Sequence, residues 1–75
     1  MFKYIRTSEG FTVWPKDTAV YHSHQARMSG RSVISAGFVY WSEITGLFVC
    51  NGQSESLQMS SLPEDSKLFN DWIKS

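Results

Sequence analysis

The sequence predicts a small α+β domain, in which an antiparallel sheet is covered by a C-terminal amphipathic helix. In Ser32–Asn51, two runs rich in β-branched and aromatic residues flank a short polar connection that contains a glycine, the pattern of a β-hairpin. Near the C-terminus, apolar residues recur at helical spacing. A chain of 75 residues is expected to form one domain with a thin core. The predicted order of elements is ββαβββα.

The N-terminal segment predicts a first hairpin. Side chains alternate in Phe2–Arg6 and again in Phe11–Trp14. Gly10, in the connection, can take the positive φ of a tight turn, and Pro15 ends the second strand because it lacks a backbone donor. A lone hairpin is marginally stable in water, so we expect this one to join a larger sheet or to pack on a helix.

A first helix is predicted from Thr18 to Gly30. Asp17 can serve as its N-cap, since a carboxylate accepts hydrogen bonds from free N–H groups of the first turn. Gly30 is a typical helix-ending residue, and Arg27 suits the negative end of the helix dipole. The apolar stripe of this segment is weak, which predicts a helix that lies on the sheet by one shallow face.

The central hairpin begins with Val33–Trp41, which is apolar on both faces. Such a strand is covered on both sides or by a partner molecule. Small side chains at Ser35, Ala36 and Gly37 would let another segment approach closely. The return strand is predicted at Leu47–Cys50.

A third strand of this meander is predicted after the central hairpin. Asn51-Gly52 is a strong type I′ turn signal, and Gln53–Met59 would form a polar edge strand. Leu57 and Met59 are expected to point inward.

The second helix has the clearest signals in the chain. Ser61 and Glu64 have the spacing of a capping box, and Pro63 is tolerated in a first turn. One apolar stripe follows at helical spacing, formed by Leu68, Phe69, Trp72 and Ile73. We expect this stripe to cover one face of the central hairpin.

Composition excludes several classes of protein. Cys50 is the only cysteine, which excludes a disulfide framework, a cysteine-cluster zinc site and a Cys-x-x-Cys redox pair. We expect it to be a small core residue of a cytoplasmic protein. No apolar run is long enough to cross a membrane, and no glycine-rich loop, nucleophile elbow or cofactor motif is present. The chain is therefore predicted to be non-enzymatic and without a cofactor.

The only cluster of titratable side chains is around His22 and His24. On a helix, these two histidines point to different sides, unlike the i, i+4 pair of a metal-binding helix. We expect no metal site and interpret both as solvated helix-face residues, with a modest anion- or partner-binding patch as the alternative.

Net charge is zero but is unevenly distributed. Residues 1–31 carry five basic and two acidic side chains, whereas residues 32–75 carry two basic and five acidic ones. This asymmetry agrees with chance placement of charge, or with a polar molecule suited to self-association.

The aromatic content favours a protein-binding module. Three Trp, three Tyr and five Phe give more apolar sheet than two short helices can cover, and Trp and Tyr dominate interface energies. The expected anchors are Trp14, Tyr40 and Trp41, with a protein partner or a homodimer joined through the sheet or its edge. Such small neutral chains are typical of bacterial or phage accessory proteins.

The alternative is a single-stranded nucleic-acid binder. Aromatic and basic residues interleave at the N-terminus, as in small domains that stack unpaired bases. The residues predicted for this role are Lys3, Tyr4, Arg6, Arg27 and Arg31. Zero net charge weighs against it.

Overall fold

A four-stranded antiparallel sheet with the strand order β2-β1-β3-β4 forms the centre of the fold. The computed structural model describes residues 1–75 and confirms the predicted α+β class, with the C-terminal helix packed against the sheet. The elements in chain order are β1 (Phe2–Thr7), β2 (Gly10–Pro15), α1 (His22–Ser29), β3 (Val33–Ser42), β4 (Leu47–Asn51), β5 (Gln53–Ser54), β6 (Met59–Ser60) and α2 (Asp65–Lys74).

Both predicted hairpins form. β1 and β2 pair from Phe2 with Pro15 to Thr7 with Gly10, and Gly10 has the positive φ, 126°, that the turn requires. β3 pairs with β4 on one side and with β1 on the other. The first hairpin therefore joins a larger sheet, as expected.

Each face of the sheet carries its own core. On the face covered by α2, Tyr4, Val39 and Cys50 pack with Phe69. On the opposite face, a second cluster lies beneath α1 and the β5–β6 segment; its buried residues are Ile5, Trp14 and Ala36. The central strand is thus covered on both sides, which explains why both of its faces are apolar.

The prediction for the start of α1 is wrong. The helix begins at His22, with Tyr21 as its N-cap, because the carbonyl of Val20 is already used. Lys3 Nζ and Trp14 Nε1 both donate to that oxygen, at 2.9 Å and 3.0 Å. The predicted end is confirmed, since Gly30 is the C-cap with a left-handed φ of 66°.

The third strand of the meander is replaced by a small separate sheet. β5 and β6 pair with each other and not with β4, and the chain leaves the main sheet at Gly52, where φ is 82°. The backbone N–H and C=O groups of β4 that point away from β3 are hydrogen-bonded to side chains of α2, so no strand can pair there. Leu57 and Met59 still pack inward, against the core beneath α1.

α2 begins at Asp65, and the predicted capping box does not form. Glu64 takes the N-cap position without a side-chain hydrogen bond; instead the Leu62 N–H donates to the carboxylate of Asp65 at 3.0 Å. Phe69 is buried, whereas Trp72 and Ile73 stay partly exposed. Neither helix is long and apolar enough to cross a membrane.

Candidate protein-binding surface

The far end of the central hairpin, residues 40–49, extends past the rest of the sheet; we call it the hairpin arm. Pairing between β1 and β3 stops at Phe2 and Val39, so beyond Val39 the only strand beside β3 is β4. Apolar side chains nevertheless continue along the arm. Three of them are exposed: Trp41 by 53%, Ile44 by 97% and Leu47 by 46%.

A four-residue connection closes the arm. The Gly46 N–H donates to the Ser42 carbonyl at 2.8 Å, and the Thr45 N–H donates to the Ser42 hydroxyl at 3.4 Å. Gly46 supplies a positive φ of 69°, which a residue with a Cβ rarely adopts. These bonds hold the loop in one conformation and leave Ile44 at its tip in solvent.

Helix α2 supports the outer edge of the arm. The Phe48 N–H donates to Asn70 Oδ1 at 3.0 Å, and Asn70 Nδ2 donates to the Phe48 carbonyl at 2.8 Å. One turn earlier, the Ser66 hydroxyl accepts from the Cys50 N–H at 2.9 Å. A shallow groove of about 380 Å³ remains between the arm and α2.

A chain of aromatic rings connects the arm to the core. The Trp41 ring lies edge-on to Phe48, with centroids 5.0 Å apart. Phe48 is 5.4 Å from Phe69, which in turn is 5.1 Å from Phe11. Edge-to-face contacts of this kind add to the stability that burial provides. The exposed Trp41 is therefore held by a packed row of rings.

The three residues predicted as protein-binding anchors lie in different environments. Trp41 is half exposed on the arm, and Tyr40 is half buried on the opposite face. Trp14 is 7% exposed, and its indole N–H is bonded to Val20, so it belongs to the core. Sequence reasoning did not name Ile44 and Leu47 as binding residues. The available signal was Ile44, an isoleucine in a turn.

The residues predicted for nucleic-acid binding do not form one surface. Tyr4 is fully buried, so its ring cannot stack on a base. Arg6 pairs with Asp65 at 3.0 Å and Arg31 with Glu9 at 2.7 Å. Lys3 points to the opposite face of the sheet from Tyr4 and Arg6, and Arg27 is exposed on α1.

A buried polar cluster fixes the start of α2 on the sheet. Asp65 is fully buried and accepts the Tyr4 hydroxyl at 2.5 Å in addition to Arg6. Burial raises the pKa of Asp65. Hydrogen bonds to its carboxylate, from Leu62, Tyr4 and Arg6 among others, outweigh the effect of burial and hold the pKa below its usual range. Ser35 lies near enough to contribute to this shift, although its buried hydroxyl makes no hydrogen bond of ordinary length.

The same surroundings make the Tyr4 and Cys50 side chains unreactive. Burial, together with the hydrogen bond to Asp65, raises the pKa of Tyr4 far above its usual range. Burial raises the pKa of the Cys50 thiol to about 12. A thiol needs to ionise to act as a nucleophile, so Cys50 serves as a packing residue.

His22 is not the solvated residue that was predicted. It is 5% exposed, between the rings of Trp14 and Phe38, and its Nε2 lies 2.8 Å from the Gly37 carbonyl. Because a carbonyl only accepts, Nε2 carries the proton. Burial lowers the pKa of His22, and nearby Lys3 lowers it further. His24, by contrast, is exposed.

No group of three or more His, Cys, Asp or Glu side chains lies close enough together to hold a metal ion. A pocket of about 520 Å³ opens beside His22, Lys3 and Phe38, and the Lys3 ammonium donates one hydrogen bond to the Val20 carbonyl.

Comparison with protein families, with curated proteins and with solved structures found no match to this chain.

Proposed function

We propose that this chain is a non-enzymatic protein-binding module that binds its partner through the hairpin arm. The observation that carries the proposal is the exposure of Trp41, Ile44 and Leu47 on one projecting element. In the observed register Trp41 and Leu47 point to opposite faces of the hairpin, so a partner that encloses the end of the arm would cover both. Large apolar side chains exposed in this way mark protein-interaction sites. Trp in particular supplies a large share of binding energy at interfaces.

Rigidity of the arm favours binding. The Trp41 ring is packed on Phe48, and Asn70 fixes the backbone of Phe48. An anchor that is already ordered loses little side-chain entropy when a partner covers it. The arm is thus prepared for docking before any partner arrives.

Charge on the neighbouring helix defines the edge of this surface. Lys67 and Asp71 form an exposed ion pair beside the groove between the arm and α2. An apolar centre with a charged rim is the usual composition of a specific interface.

The lone buried thiol of Cys50 suits a reducing compartment, which supports a cytoplasmic location.

Single substitutions on the arm test this function. Trp41→Ser and Ile44→Ser each remove an apolar side chain that is at least half exposed, so both variants should still fold, Trp41→Ser with the loss of its contact with Phe48. Met28→Ser is the matched control, because Met28 is 71% exposed but lies on α1. The measurement is affinity capture from a lysate of the source cells, with circular dichroism to verify folding.

We expect a protein that is retained by the wild type and by the Met28→Ser variant, and is lost from both arm variants. Equal capture by all four proteins, or capture of nothing by the wild type, would count against the proposal.

A further inference from the structure

The two edges of the sheet differ in how their outward backbone groups are satisfied. At β4, Asn70 and Ser66 of α2 take up the outward groups of Phe48 and Cys50. At β2, no element lies beyond the strand. One edge of the sheet is therefore closed by side chains, and the other is open.

The pairing of β1 with β2 shows which groups of β2 are free. The Lys16 N–H donates to the Met1 carbonyl at 3.3 Å, and hydrogen-bonded pairs alternate with non-bonded pairs along an antiparallel ladder. In the observed register, Ile5 and Thr12 form a bonded pair. The N–H and C=O groups of Phe11 and Val13 therefore point away from the sheet.

We propose that a second copy of this chain pairs with the open edge, with β2 of each copy antiparallel to β2 of the other. The two-fold axis passes beside Thr12, which places Phe11 opposite the partner's Val13 and Val13 opposite the partner's Phe11. Every outward N–H on the two β2 strands then meets a carbonyl. The two sheets join into one continuous sheet.

The side chains of β2 suit a second copy. Thr12 would face the partner's Thr12 as a non-bonded cross-strand pair, an arrangement that stabilises antiparallel strands. On the α2 face, Val13 is 38% exposed and would be covered by the partner's Phe11. The same two residues thus supply both halves of the contact, as a two-fold interface requires.

Charge also favours antiparallel self-pairing. β2 itself contains no charged residue, and its one proline, Pro15, lies at the last position of the strand, so its middle lacks the usual protection of an edge strand against pairing. Glu9 precedes the strand and Lys16 follows it. In the proposed register, Glu9 of one copy, which already pairs with Arg31 of its own chain, lies near the partner's Lys16, so opposite charges flank both ends of the shared ladder.

Hydrogen exchange on the intact chain tests this pairing directly. The amides of Phe11 and Val13 should exchange fast in dilute solution and become protected as concentration rises, whereas the Thr12 amide, bonded to β1, should be protected throughout. Over the same range, sedimentation equilibrium should show the mass rise from 8.6 kDa towards twice that value. A chain that stays monomeric at millimolar concentration would overturn the inference.

Substitution of Val13 by proline tests whether association occurs through the β2 edge. Val13→Pro removes an outward N–H and no hydrogen bond to β1, although it also replaces the valine side chain and fixes φ. The pairing with β1 should be kept, and association should weaken about tenfold or more. Val13→Thr keeps that N–H and should associate like the wild type. Should the proline variant fail to fold, Val13→Lys takes its place, because a charge on the edge opposes pairing.

The arm variant Trp41→Ser separates this inference from the proposed function, on which it does not depend. We expect it to associate as the wild type does. If Trp41→Ser abolishes association and Val13→Pro leaves it unchanged, the edge pairing is wrong while the binding role of the arm stands.

Discussion

The Asn70 side chain takes the place of a neighbouring strand for Phe48. Its amide accepts from the N–H and donates to the C=O of that residue, at 3.0 and 2.8 Å. Asn70 Nδ2 also donates to the Ser66 carbonyl one turn earlier, at 2.7 Å, which locks its orientation. The buried Asn70 amide therefore satisfies the outward groups of Phe48 and positions α2 at the same time, while Ser66 serves Cys50.

Replacing Asn70 should therefore destabilise the fold. In Asn70→Leu, both polar groups of Phe48 would lose their partner in a place that water reaches poorly. We expect the free energy of unfolding to fall by about 2–4 kcal/mol, the cost of leaving two such groups unsatisfied. Urea denaturation measures the change, and an unaltered m-value would show that the unfolded state is the same.

The next residue provides the control. Asp71 is exposed and pairs only with Lys67 on the surface, so Asp71→Asn should leave the urea midpoint nearly unchanged. Equal stability of the Asn70→Leu variant and the wild type would show that the amide is not what secures the helix.

Acid should weaken the attachment of α2 through Asp65. The pKa of this carboxyl is lowered in the folded chain, because hydrogen bonds to its ionised form outweigh the effect of burial. Above its ordinary value of 3.8, the group is ionised in both states and its stabilising effect is complete. As the pH falls from there through the lower folded pKa, only the unfolded chain takes up the proton, and stability is lost.

Asp65→Asn should cost about 3 kcal/mol at pH 7, since it leaves Arg6 without its buried partner. The difference from the wild type should shrink as the pH falls below 3.8, because the wild-type carboxyl is then neutralised too. Urea midpoints measured from pH 6 to pH 2 give both values. Glu64→Gln removes only the exposed partner of Arg6 and should have little effect on stability. If the difference in urea midpoint between Asp65→Asn and the wild type stays constant with pH, the acid sensitivity does not come from Asp65.

Periodicity was sufficient to predict the strands of the main sheet and the C-terminal helix. Alternation in β1 and the helical spacing around Phe69 depend on which face meets the core, and the two apolar faces of β3 reflect cover on both sides; all three patterns are visible in a single sequence. The close approach expected at the small residues of β3 is present at Gly37, where a Cβ would lie 2.6 Å from the Asn51 carbonyl oxygen.

Long-range polar contacts were beyond sequence reasoning. The start of α1 depends on Lys3 and Trp14, which hold the Val20 carbonyl outside the helix, and no local signal reports that. Asn70 and Asp65 are polar, so a helical pattern assigns them to solvent, although both are buried. Trp41 was expected at the binding surface, but the extension of the arm past β1 follows from strand register and not from composition.

The close approach at Gly37 predicts the effect of adding one methyl group. Gly37→Ala would push a Cβ into backbone atoms of Asn51 and Gly52, which cannot move aside as a flexible side chain can. We expect a loss of about 1–3 kcal/mol from overpacking, measured by urea denaturation. At Gly30, where φ is 66° and nothing lies within 4 Å, alanine meets only backbone strain of about 1–2 kcal/mol. A Gly37→Ala variant as stable as the wild type would mean that β3 lies farther from the Asn51–Gly52 backbone.

The buried imidazole of His22 predicts a second loss of stability, at milder pH. Burial lowers the pKa of His22 in the folded chain, and Lys3 adds to the effect. At pH 7 the ring is neutral in both states. As the pH falls below the ordinary value of 6.5, the unfolded chain gains a proton that the folded chain does not, so the free energy of unfolding decreases until the folded pKa is reached.

Substitution separates this effect from general acid sensitivity. His22→Gln keeps a donor for the Gly37 carbonyl and cannot titrate, so its stability should no longer decline between pH 7 and pH 5. His24→Gln, on the exposed side of the same helix, should retain the wild-type decline. Urea midpoints at closely spaced pH values provide the measurement. Loss of the slope in His24→Gln, or its persistence in His22→Gln, would show that the proton uptake belongs to a different group.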